Sequence, residues 1–153
     1  MTSQTTPRKS AHQILAHSYL VYLLALLLGL LFYVFFPIKI FDQPALLYFG
    51  SVLLILATML IFSAQKASKN FNRENVNKES FCHGPYCFTR SPTHWGLFIL
   101  LLGFGIIINS FFVVVFTIAS FLLTKFVFLR KEEKVLEEKY GAPYLEYKKI
   151  VRL

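Results

Sequence analysis

SPTHWGLFILLLGFGIIINSFFVVVFTIASFLLT, residues 91–124, contains no Asp, Glu, Lys or Arg. As one helix it would be about 51 Å long at ~1.5 Å per residue. The hydrocarbon core of a bilayer is only about 30 Å thick. Asn109-Ser110 lies inside the run, and a polar pair of that kind suits a tight turn. The stretch therefore reads as a helical hairpin, with arms at 93–108 and 111–129. Lys125 falls near the inner end of the second arm, where its long side chain can reach the headgroups.

Two more uncharged runs precede it, at 18–38 and 43–65. Each is long enough for one crossing, because a spanning helix needs roughly 20 apolar residues. The expected fold is all-α, a polytopic membrane protein of four transmembrane helices. The spans are expected at about 15–37, 44–65, 93–108 and 111–129, the last two forming the hairpin. Residues 1–10 are polar and read as a mobile N-terminus. Residues 130–153 read as a helical tail on the cytoplasmic side, within a single membrane domain.

Composition agrees with the spans. Hydrophobic residues make up 56% of the 153-residue chain and charged residues 16%, and Phe alone occurs 17 times. Soluble domains are nearer a quarter charged, and one this small could not bury so much apolar surface. A water-soluble enzyme, a disordered tail and a disulfide-rich secreted module are excluded on this ground. Two cysteines, Cys82 and Cys87, are too few for a disulfide framework. Span one exceeds a signal-peptide core and no small-residue cleavage site follows it, so it is expected to stay.

Sixteen Lys and Arg oppose eight Asp and Glu, a formal charge of +8. With four spans and both termini inside, every basic residue except Lys39 faces the cytoplasm. The positive-inside rule selects that topology and accounts for the charge without nucleic acid. No basic patch is interleaved with stacking aromatics outside the spans.

Two stretches carry unusual polar residues, and in this topology both face the cytoplasm. Gly84-Pro85 signals a turn. Pro92 suits a first helical position, and Ser91 before it suits the N-cap. Arg90 beside free helix N–H groups makes a site for a carboxylate or phosphate; a capped helix with Arg90 at the headgroups is the bland alternative. Further on, Leu129, Glu132, Glu133, Leu136 and Tyr140 fall at steps of three and four and share a face. Carboxylates on such a face need donors: a ligand hydroxyl, Arg90 or a backbone amide. A set of solvated ion pairs is the plain alternative. Gly141 suits a C-cap. Pro143 then opens a short helix bearing Tyr144, Tyr147 and Lys148-Lys149, placed along the interface or over the loop as a lid. Cys82, His83, Cys87 and His94 do not follow a standard zinc spacing, and no metal is expected.

The stretch Gly84-Pro85-Tyr86, Thr89-Arg90-Ser91-Pro92-Thr93-His94-Trp95-Gly96 resembles the Gly-Pro-Tyr-Arg-Tyr-x-Arg-His-Pro-x-Tyr-x-Gly motif of the isoprenylcysteine carboxyl methyltransferase family. Glu132-Glu133-x-x-Leu136, then Tyr140-Gly141-x-x-Tyr144-x-x-Tyr147-x-x-x-Val151, resembles that family's closing motif. Phospholipid methyltransferases share the layout. The resemblance covers roughly residues 68–152. It implies an integral membrane methyltransferase that uses S-adenosylmethionine and takes a lipophilic or small-molecule acceptor at the cytoplasmic face of the lipid bilayer. Carried over by position, the cofactor would be bound by Gly84, Tyr86, Arg90, Ser91, Pro92, His94, Gly96, Glu132, Glu133 and Tyr144. Arg90 and Glu133 would position the reactants, with Phe71, Asn72 and Trp95 on the acceptor side. The chain departs from the motif at Ser91 (family His), His94 (family Tyr) and Cys87 (family Arg). Two readings compete: an NADPH-dependent enzyme like the sterol reductases, and a non-catalytic scaffold of the same fold.

Overall fold

The computed structural model describes residues 11–41, 45–69 and 84–151, and among these all regular structure is helical. Helix α1 spans Ala11–Phe35 and α2 spans Ala45–Lys69. A short 3-10 turn, Gly84–Cys87, leads to α3, Pro92–Ile107. Helix α4, Phe111–Leu123, passes into a π-helical segment, Thr124–Leu129, and on into α5, Arg130–Tyr140. Helix α6, Ala142–Ile150, closes the chain.

Three helical runs are long and apolar enough to cross a bilayer: Ala16–Phe35, Ala45–Lys69 and Phe111–Tyr140. Helix α3 is apolar but has 16 residues, about 24 Å of helix. The limits differ from the expected spans where local chemistry differs. Pro37 ends α1 early, since the residue before a proline is driven out of the helical region. Helix α2 runs on past 65 to Lys69, and Lys66 and Lys69 in its last turn oppose the negative end of the helix dipole. The final arm continues into the tail, as expected, because nothing between Lys125 and Tyr140 breaks a helix; Gly141 does, with φ 62°.

Small residues set the contact between α2 and α3. Gly50, Ala57 and Ala64 recur every seven residues on α2 and are buried. Gly96 and Gly103, also seven apart, face them from α3. A Cβ on Gly50 would meet the Gly103 carbonyl oxygen at 2.9 Å, and one on Gly103 would meet the Gly50 carbonyl oxygen at 3.0 Å. The two backbones touch there, as small residues allow between membrane helices. Gly29 on α1 lies equally close to the Val113 backbone on α4. Large apolar side chains such as Leu27, Leu31, Ile55, Met59, Phe62, Ile118 and Leu122 point outward. A soluble protein would bury such a surface; a lipid solvent leaves it where it is.

The hairpin turn is the expected one. Asn109 adopts φ 54°, a conformation asparagine tolerates. Its side chain accepts hydrogen bonds from Ile40 N (2.9 Å) and Phe41 N (3.0 Å) and donates to Phe41 O. The α3–α4 turn is thereby tied to the α1–α2 connection at one end of the bundle. Ser110 caps α4, its hydroxyl accepting from Val113 N at 3.4 Å. The opposite end of the bundle holds the polar residues.

Candidate functional site: a polar cavity meeting an apolar cleft

At that opposite end a cavity of about 230 Å³ lies among the start of α1, the end of α2, the start of α3 and α5. Its walls carry Tyr19, Gln65, Ser68, Lys69, Tyr86, Arg90, Ser91, Thr93, His94 and Glu132. A second cleft of about 460 Å³, lined mainly by Tyr22, Leu23, Leu26, Ile61, Leu97 and Leu101, runs from it between α1, α2 and α3. Both spaces share Tyr19, Gln65 and Thr93. The cavity alone is below the about 300–1,000 Å³ usual for ligand sites; with the cleft the space falls within it. One half is polar and charged, the other hydrocarbon-like.

Local sequence explains how the polar half is built. Pro92 occupies the first turn of α3, and the Ser91 carbonyl accepts the first helical bond from Trp95 N at 3.2 Å. Ser91 holds the N-cap position, at φ −133° and ψ 61°, but its side chain makes no capping bond. It lines the cavity instead. The π segment carries the last helix from the bundle into α5. A π turn holds an extra residue, so it resets which face the following carboxylates present; such segments occur often at functional sites.

Glu132 and Glu133 point to different partners. Glu133 Oε1 is 2.7 Å from Arg90 Nη1 and its other oxygen is 3.0 Å from Lys148 Nζ. Lys148 also donates to Glu137. These bonds, to Glu137 first and then Glu133, raise the Lys148 pKa above the usual lysine value. Glu132 Oε2 is 3.6 Å from His94 Nε2. His94 is 4% exposed, and neither ring nitrogen has a hydrogen-bond partner among the described residues.

Helix α6 folds back over the loop. Tyr147 donates a 2.6 Å hydrogen bond to the Tyr86 carbonyl oxygen. Tyr144, Tyr147 and Val151 form a small core with Leu136 and Tyr140 against it. Burial raises the Tyr147 hydroxyl to about 12 and the Tyr144 hydroxyl further. Tyr86 is raised as well, again chiefly by burial.

The residues singled out from sequence divide accordingly. Tyr86, Arg90, Ser91, Pro92, His94 and Glu132 meet around the cavity. Glu133 stands behind Arg90, and Tyr144 is buried in the α6 core. Gly84 forms a left-handed turn away from the cavity walls. Gly96 faces α2, where an added Cβ would meet Ile61 Cγ1 at 2.5 Å. Trp95 packs on Phe121 at 4.9 Å between ring centroids, and lines neither the polar cavity nor the apolar cleft. Phe71 and Asn72 lie outside the described residues, as do Cys82 and His83. Cys87 is in a disulfide. No group of three metal-ligating side chains occurs among the described residues.

Tyr19, Gln65, Ser68 and Lys69 were not picked out from sequence. Each sits at the end of an apolar helix, and there a tyrosine or lysine reads as an interfacial anchor. Their one available signal was a cluster of polar groups at the ends of spans one and two that the expected topology puts on one side.

No curated protein and no solved structure matches the chain. A family model described as phospholipid methyltransferase matches residues 45–143, from the start of α2 to the start of α6. That match takes in well over half the chain and most of the cavity walls, and with the outward apolar surface it makes this a membrane protein of the phospholipid methyltransferase family.

Proposed function

We propose that the protein is an S-adenosylmethionine-dependent methyltransferase that acts on a lipophilic acceptor at the cytoplasmic membrane face. One observation carries the reading: a polar cavity with both charge signs adjoins an apolar cleft, the two sharing Tyr19, Gln65 and Thr93. A transfer between a water-soluble donor and a lipid-soluble acceptor needs such a pair of spaces side by side. The family to which the chain belongs supports methyl transfer in general.

The donor set suits the cofactor. Arg90 and Lys69 are cations for its carboxylate, at the head of α3 where the helix dipole adds to them. Glu132 offers oxygens to ribose hydroxyls or to the amino group. Tyr19 and Tyr86 present aromatic faces to a sulfonium or to adenine. When bound, S-adenosylmethionine supplies a methyl group activated on a positively charged sulfur. The chain's own task is alignment and exclusion of water. Glu133, itself paired with Lys148, holds Arg90 from behind, and α6 covers the loop through Tyr147.

The topology we propose has four membrane passes with both termini in the cytoplasm. The basic residues support it, as does the gathering of the first, second, third and last helices' polar ends on one side. A 2′-phosphate would want a basic cluster such as Lys148-Lys149, of which Lys148 is paired with Glu133 and Glu137.

The test is transfer. The purified protein in lipid nanodiscs is incubated with methyl-labelled S-adenosylmethionine, and the organic extract is counted. Label in the lipid fraction, absent with Arg90→Ala, is expected. Cofactor binding with no label in any lipid fraction would reduce the protein to a scaffold of the same fold.

A further inference from the structure

A third and smaller cavity, of about 20 Å³, lies where α1, α3 and the π segment meet. It shares Ser91 and His94 with the polar cavity, and Trp95 and Phe121 line it as well. Three polar side chains on it are almost fully buried: Tyr22 and Thr124 are each 1% exposed and His94 4%. The Tyr22 hydroxyl, the Thr124 hydroxyl and both His94 ring nitrogens have no hydrogen-bond partner among the described residues. A buried polar group without a partner is costly and uncommon. Inside a bilayer no bulk solvent relieves it. Here three such side chains, from three separate elements, line one small space.

Few partners fit. The Tyr22 and Thr124 hydroxyls lie close enough to interact, yet form no direct hydrogen bond. A bridging water joins polar pairs of that kind. His94 Nε2 is 3.6 Å from Glu132 Oε2, which leaves Nδ1 for the small cavity. One water needs about 10–15 Å³ of such space and makes about three hydrogen bonds. The cavity offers that room and three groups. No carboxylate lines it among the described residues, so a cation would find no counter-charge. An organic ligand would not fit the volume. Water both donates and accepts, so it serves the imidazole in either protonation state.

We infer that this cavity is the binding site of one resident water, which bridges the Tyr22 hydroxyl, the Thr124 hydroxyl and His94 Nδ1. The water joins α1, α3 and the last long helix at one point. Thr124 is the first residue of the π segment, and helices often depart from α geometry where a water inserts. The same helix continues into α5, which carries Glu132 and Glu133. The water thus pins the base of the arm that brings those carboxylates to His94 and Arg90. The site stands whichever group the protein transfers.

Two measurements on the full chain test this. The first is a crystal structure from a lipidic mesophase, at a resolution that shows ordered waters. One density peak should lie within about 2.6–3.2 Å of Tyr22 Oη, Thr124 Oγ1 and His94 Nδ1. No peak, or a direct Tyr22–Thr124 hydrogen bond in its place, would overturn the inference. The second is X-ray radiolytic labelling in nanodiscs, read by mass spectrometry. Radiolysis turns a bound water into a hydroxyl radical that oxidises the side chain beside it. Tyr144 and Tyr147, 3% and 4% exposed within an apolar cluster, are the controls. Tyr22 should be oxidised several-fold faster than either, although it is less exposed. In Thr124→Val, with an unfolding transition like wild type, the Tyr22 rate should fall to that of Tyr144. Thr124 lines neither the polar cavity nor the apolar cleft, so that fall assigns the label to this water. Should the variant unfold, the wild-type density and the wild-type Tyr22 rate decide the matter. A Tyr22 rate no faster than that of Tyr144, or one unchanged in a folded Thr124→Val, would overturn the inference.

Discussion

Replacing Glu133 by Gln removes a charge that two cations share. Arg90 Nη1 is 2.7 Å and Lys148 Nζ 3.0 Å from its oxygens. Removing one partner of a fully buried pair costs about 3–5 kcal/mol, and an exposed pair is worth about 0–1 kcal/mol. The Arg90 and Glu133 side chains are 17% and 16% exposed, so their contact falls between the two. Lys148 is 36% exposed and keeps Glu137, so its share is near the low end. Interpolating between the buried and exposed limits puts the whole loss at about 2 kcal/mol. It should appear as a lower unfolding midpoint in a detergent titration, with earlier tryptic cleavage at Lys148 or Lys149. Part of it should appear in ligand affinity, because Arg90 loses the group that aims it: about a tenfold weaker S-adenosylhomocysteine Kd, which is about 1.4 kcal/mol. A double-mutant cycle with Arg90→Gln isolates the pair. A coupling near zero, with stability and affinity both unchanged, would refute the claim that Glu133 holds Arg90.

Tyr147→Phe should free α6 from the loop, since it deletes the 2.6 Å bond to the Tyr86 carbonyl; a loss of about 1–2 kcal/mol is expected, read as faster hydrogen exchange in residues 142–150. The same hydroxyl sets an alkaline limit. Its folded pKa is raised to about 12 from 10, so its contribution is whole below pH 10 and is lost between pH 10 and 12 as the unfolded form ionises first, about 2–3 kcal/mol in all. Lys148, also raised, loses its ion pairs only as the pH climbs above the usual lysine range; circular dichroism against pH checks both. Gly103→Ala should cost about 1–3 kcal/mol, because the new methyl meets the Gly50 carbonyl oxygen and Leu53 Cβ at 3.0 Å; an unchanged melting curve would contradict the backbone contact. Asn109→Ala removes three hydrogen bonds to Ile40 and Phe41 and should raise protease sensitivity of the 36–41 segment while leaving cofactor binding alone.

Much of this was legible in the sequence because it depends on local chemistry. An uncharged run too long for one bilayer and a polar pair inside it were enough to find the hairpin and its turn at Asn109. Pro92, Gly141 and Pro143 marked helix ends through their own backbone limits. The carboxylates at 132 and 133 stood out on an apolar face, and Arg90 was among the donors expected for them; the structure pairs it with Glu133. The rest depends on long-range packing. Gly96 belongs to a motif-like string, but its neighbour is decided by the crossing of α2 and α3, which a single strand of sequence does not display. Trp95 follows for the same reason, packed on Phe121. The π segment has no sequence mark, because Thr124–Leu129 reads as ordinary apolar helix. Ser91 takes the N-cap position expected of it without making the side-chain bond, since residue type fixes the capacity to cap and not the geometry that realises it. Tyr19 and Gln65 gain meaning only when α1 and α2 are brought beside α3.

The most direct test of the central claim is equilibrium binding to the detergent-purified protein, with S-adenosylmethionine and S-adenosylhomocysteine as ligands and NADPH as control. Micromolar binding of both adenosyl ligands, weakened in Arg90→Ala and Glu132→Ala and absent for NADPH, is predicted. A folded protein that binds neither adenosyl ligand, or binds NADPH instead, would contradict the account.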